Sequence, residues 1–91
     1  MAKENVSGLK EFTDTMHEGG AAASAQLGHA GPVAHPKITG VQPITPSKFR
    51  NPTSFIKCRE MTKDDIRTVV RNFADAAEIA AESGFDAVEL H

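Results

Sequence analysis

The sequence has no Trp and no Tyr, a single cysteine, and no long apolar run. Each absence closes a class of protein. One cysteine, Cys58, cannot form an internal disulfide, which removes the stapled secreted scaffolds and suits a reducing compartment. No stretch approaches the ~20 apolar residues of a membrane-spanning helix. The start, MAKENVSGLKEF, lacks the apolar core of a secretory leader. A cytoplasmic location without a membrane partner is expected, and the sequon Asn5-Val6-Ser7 is read as chance. A net charge of −2 offers no attraction to nucleic acid or anionic lipid, so neither is expected as a partner. The four histidines and one cysteine show no Cys-x-x-Cys or His-x-x-x-His spacing, so no metal site is expected. No glycine-rich phosphate loop of either common type is present.

What is there is a thin set of anchors. Ninety-one residues suffice for one small domain, burying about 60–65% of the surface its unfolded chain exposes. The hydrophobic fraction is 40%, but much of it is alanine. Phe12, Phe49, Phe55, Phe73 and Phe85 are the large apolar side chains.

The C-terminal third is the most sharply patterned. Thr62 followed three residues later by Asp65 reads as a capping box, with Met61 and Ile66 placed as a hydrophobic staple. Ile66, Val69, Val70, Phe73, Ala77 and Ala80 then follow the 3.6-residue period, which predicts a helix over about 63–82. Gly84 suits the left-handed position past its end. A strand over 85–90 follows, with Val88 and Leu90 on one face and Ala87, Glu89 and His91 on the other. The N-terminal third repeats the theme. Leu9, Phe12 and Met16 predict a helix over about 7–18, stopped by Gly19-Gly20, and AAASAQL predicts a strand over about 21–27. Alanine is a poor strand former, so this strand rests on the recurrence of helix, glycine, strand. Gln26 shares a face with Ala22 and Ser24. Between the halves, residues 28–61 hold all five prolines and no sustained period, and are expected to be a long loop containing Cys58.

Two strands joined through a loop and a helix should lie parallel. Parallel strands belong to larger sheets buried on both faces, so the chain reads as a section of an α/β protein. Open strand edges would invite self-association. At the carboxyl ends of such strands, where α/β proteins place their chemistry, Gln26 and His91 would emerge on one side of the sheet. On the residues alone Gln26 reads first as a polar strand end and His91 as a terminus. His29 reads as structuring its loop, His17 and His35 as exposed, Cys58 as a plain thiol beside Lys57 and Arg59, and Glu89 as structural.

QLGHAG at 26–31, TPS at 45–47, REMT at 59–62 and AAESGFDAVELH at 80–91 resemble the old yellow enzyme family. These are NADH:flavin oxidoreductases and ene-reductases, FMN-dependent and NAD(P)H-using, built on an eight-stranded (β/α)8 TIM barrel. The resemblance runs from Leu9 to His91. It implies a partial chain, from the second helix of the barrel to its fourth strand. It also implies that Gln26 binds the flavin ring, since a carboxamide offers the donor and acceptor that the pyrimidine edge requires. His91 would be the first member of a pair donating hydrogen bonds to the oxygen of an activated, electron-poor alkene. No residue of the chain is expected to be catalytic in its own right. Pro32 stands where the family often has an arginine. A TIM barrel takes ~250 residues, so the chain is expected to be a truncated, inactive piece. The alternative is a non-catalytic, stand-alone remnant acting as an interaction or assembly module.

Overall fold

The computed structural model describes residues 2–91. Its two long helices end where local chemistry says they must. Helix α3, Lys63–Glu82, opens on a reciprocal cap: Asp65 N–H donates to Thr62 Oγ1 at 3.1 Å, and Thr62 N–H donates to Asp65 Oδ2 at 2.7 Å. Two orphan amides are satisfied at once. It closes with Phe85 N–H donating to Ala80 O and Gly84 N–H to Ala81 O, both at 3.1 Å, around Gly84 at φ +90°. Helix α1, Val6–Glu18, ends on the same motif. Ala21 N–H donates to Met16 O at 3.1 Å and Gly20 N–H to His17 O at 2.9 Å, with Gly20 at φ +83°. Both ends are six-to-one and five-to-two pairs that need a left-handed residue, which only glycine adopts without cost.

Each glycine turn delivers the chain to a strand, β1, Ser24–Leu27, and β5, Ala87–Leu90. Between β1 and α3 come a one-turn helix α2, Pro36–Thr39, and short strands β2, Ile44–Thr45, β3, Phe49–Arg50, and β4, Lys57–Glu60. The chain divides into two compact units. One runs to Gly28 and resumes over Val69–His91; the other is His29–Thr68, and the boundary falls within α3.

In the first unit β1 and β5 pair in parallel, Ser24 with Ala87, Ala25 with Val88, Gln26 with Glu89 and Leu27 with Leu90. The register is set at the amino ends of the strands. Asp86 N–H donates to Ala23 O at 2.8 Å, and Asp86 Oδ2 accepts Ala23 N–H at 2.8 Å and faces His17 Nε2 at 2.7 Å. One residue thus clamps both backbone groups of Ala23 and reaches the last turn of α1. A slip by one residue would reverse every side chain between faces. Ala25 and Leu27 alternate inward and bury with Ala80, and Phe73, Ala76, Ala77 and Phe85 pack against them. Thr13 Oγ1, fully buried, donates its one proton to Ser83 O at 2.6 Å, with Lys10 O 3.0 Å away, fastening α1 to the end of α3.

The second unit is a three-stranded sheet in the order β2-β4-β3, with β2 parallel and β3 antiparallel to β4. A bidentate pair, Arg59 Nη1 to Asp65 Oδ2 at 2.6 Å and Nη2 to Oδ1 at 3.2 Å, ties β4 to the first turn of α3. The guanidinium, then the Thr62 amide and hydroxyl, hold the Asp65 carboxyl well below the usual carboxylate range, and the Arg59 pKa rises in return.

Three expectations need correction. The strand placed over 21–27 starts at Ser24 and that over 85–90 at Ala87, because residues 21–23 and 85–86 are taken up by the helix-closing turns and the Asp86 clamp. Residues 28–61 are not one loop: three paired strands and two helical turns lie within them. Such two- to four-residue strands are too short to show a period. Cys58 accordingly lies on β4, buried to 2%. The apolar stripe of α3 is only half used, since Ile66 and Val70 remain 49% and 64% exposed.

Candidate functional site at the carboxyl ends of the parallel strands

Gln26 is the third residue of β1 and exposed, on the face opposite the buried Ala25 and Leu27. Its register partner is Glu89, and paired residues of a parallel ladder carry their side chains on the same face. His91 lies two residues beyond Glu89, so it belongs to that face as well. The ladder continues to it: His91 N–H donates to Leu27 O at 2.7 Å. The first unit therefore brings Gln26, Glu89 and His91 together on one face at the strands' carboxyl ends, as the spacing predicts.

Gly28 was not singled out by sequence reasoning, although strand parity places it two residues past Gln26 and level with His91. A Cβ built there meets only His91 O, at 3.6 Å, an ordinary contact, and its φ is not left-handed. The backbone therefore does not demand glycine at 28. Gly28 simply adds no side chain next to the His91 backbone. An exposed carboxamide with an imidazole-bearing residue on the same face suits a flat heterocycle carrying alternating donors and acceptors. The residues present fit a flavin ring.

The remaining histidines have local roles. His29 Nδ1 accepts Gly31 N–H at 3.2 Å, so it structures its loop. His35 Nδ1 accepts Lys37 N–H at 3.2 Å and caps α2. His17, read from sequence as merely exposed, is engaged with Asp86. The Ala23 amide, then His17, draws the Asp86 carboxyl below its ordinary value. In the second unit, a cavity of about 660 Å³ is lined by Lys48, Phe49, Arg50, Lys57 and Cys58, among others.

A family model described as NADH:flavin oxidoreductase / NADH oxidase matches residues 1–91. The chain belongs to this family. FMN and a nicotinamide reductant are the cofactors that go with it. Among curated relatives, a 4,4'-dithiodibutanoate disulfide reductase of Rhodococcus erythropolis is 35% identical over 91 residues, which is 100% of this chain and 23% of that protein. A cinnamate reductase of Clostridium sporogenes is 39% identical over 85 residues, 89% of this chain and 12% of the relative. Among solved structures, the old yellow enzyme homologue of Zymomonas mobilis superposes with a TM-score of 0.86 at 27% identity, over 94% of this chain and 27% of that one. The chain thus spans 12–25% of these curated relatives and 14–30% of the solved structures. No helix among the described residues of this family member is long and apolar enough to cross a membrane.

Proposed function

We propose that this chain forms part of an FMN-dependent oxidoreductase of the ene-reductase type, acting on electron-poor alkenes. In this reading it is the stretch of a (β/α)8 barrel from the second helix to the fourth strand. The observation that carries the reading is the parallel register, which puts Gln26 and His91 on one face at the strands' carboxyl ends. The name of the cinnamate reductase supports the substrate class.

Each residue then has a task set by its chemistry. The Gln26 carboxamide holds the pyrimidine edge of the ring, accepting with its oxygen and donating with its nitrogen. Reduced FMN, when bound, supplies the hydride, and NAD(P)H restores it. His91 donates a hydrogen bond to the carbonyl oxygen of an enone-type substrate. Negative charge grows on that oxygen as hydride adds to the far alkene carbon, so a donor already in place lowers the barrier. A proton on the neighbouring carbon completes the reduction.

The test is NAD(P)H consumption by the flavin-loaded enzyme of which this chain forms part, with 2-cyclohexenone and, separately, with an organic disulfide. Alkene reduction that falls about 100-fold in His91→Ala, the usual scale for one lost oxyanion donor, is the expected result. Turnover of the disulfide alone would overturn the alkene assignment. Full flavin retention in Gln26→Ala would remove Gln26 from the site.

A further inference from the structure

We infer that Glu89 is a positioning residue for Gln26, selecting the one orientation of its carboxamide that the flavin requires. The inference rests on the reading of Gln26 above and deepens it. Glu89 is the register partner of Gln26 across the β1–β5 ladder, so the two side chains rise side by side from neighbouring strands. Both are exposed, on the polar face that ends at His91.

A carboxamide has two nearly isosteric orientations, related by exchanging its oxygen and its NH2 group. They present opposite patterns to a ligand, and a glutamine with no polarised neighbour samples both. An ionised carboxylate removes the ambiguity because it only accepts. The two side chains make no hydrogen bond in this structure; with the flavin bound, the carboxylate would receive one Gln26 N–H in a charge-assisted hydrogen bond and repel the amide oxygen. Gln26 then turns Oε1 away from Glu89, toward a ring N–H, and keeps its second N–H for a ring carbonyl. On the other face of this ladder the partners are apolar, Ala25 with Val88 and Leu27 with Leu90. The one amide–carboxylate pair in the ladder therefore falls at the site, and the Asp86 clamp at the opposite end keeps it in register.

The experiment is a double-mutant cycle on the flavin-loaded protein, using Gln26→Ala, Glu89→Gln and both together. Its readouts are the FMN dissociation constant and the thermal unfolding of the flavin-stripped protein. Glu89→Gln is isosteric but can both donate and accept, so it no longer selects an orientation. Each single change is expected to weaken FMN binding about tenfold, the scale of one charge-assisted hydrogen bond. The double change is expected to stay near tenfold rather than reach a hundredfold, with unfolding of the stripped protein unchanged. Additive losses, or an equal loss of stability without flavin, would overturn the positioning role. Unchanged FMN affinity in Gln26→Ala would instead sink the reading of Gln26 and this inference with it. Should Glu89→Gln fail to fold, Glu89→Asp is read in its place. It keeps the charge but withdraws the carboxylate, and the same non-additive loss is expected.

Discussion

Gly84 lies so close to Thr13 that a Cβ at 84 would sit 2.7 Å from Thr13 Oγ1. That hydroxyl is fully buried and donates to Ser83 O at 2.6 Å, so it has nowhere to retreat. Gly20 has nearly the same backbone, φ +83° against +90°, but nothing within 4 Å of its Cβ. Gly20→Ala should therefore cost only the left-handed strain, about 1–2 kcal/mol, while Gly84→Ala should cost clearly more. Urea denaturation of both variants separates strain from crowding. Thr13→Ala combined with Gly84→Ala should recover the crowding part, and equal costs for the two glycine variants would show that the close approach does not matter.

Acid should loosen the β1–β5 register. The Asp86 carboxylate is held below its ordinary pKa by the Ala23 amide and by His17. A depressed carboxyl contributes stability above its unfolded value of about 3.9 and loses that contribution as pH falls through the folded value. Asp65, depressed through Arg59, adds to the same trend. Denaturation midpoints should fall below about pH 4, with a shallower fall in Asp86→Asn. A parallel pH profile in that variant would remove Asp86 from the acid response.

The cap of α3 separates into two parts. Thr62→Ala removes the acceptor for Asp65 N–H and should destabilise by about 1 kcal/mol. Asp65→Asn keeps an acceptor for Thr62 N–H but loses the charge opposite Arg59. Its effect should therefore shrink in 1 M salt, whereas that of Thr62→Ala should not. Thermal unfolding in the two ionic strengths reads both.

Phe55 is the one non-glycine residue at positive φ among those described, at +60°, and it is 68% exposed. A bulky side chain there carries strain of roughly 1–3 kcal/mol with little burial in return. Phe55→Gly should slow amide exchange across 51–56 by relieving it. Faster exchange would mean that the ring secures the turn.

The glycine-ended helices, the capping box of Thr62 and Asp65 and the parity of Gln26 and His91 were legible in the sequence. The first two depend on residues within about five positions of one another, where local hydrogen bonds decide the outcome; the third needed strand alternation together with the parallel pairing of strands some sixty positions apart. The paired strands β2, β3 and β4 were not legible, because two to four residues carry no measurable period and their partners come from across the turn.

By itself, then, the sequence determined where helices start and stop and which residues share a strand face. Only the tertiary structure decided that Gln26 stands level with Glu89, that His17 and Ala23 meet Asp86, and that Thr13 closes on Gly84. Those relationships join residues some sixty to seventy positions apart. Their register is set by which backbone groups find partners once the chain has folded back on itself, and no local pattern records that choice.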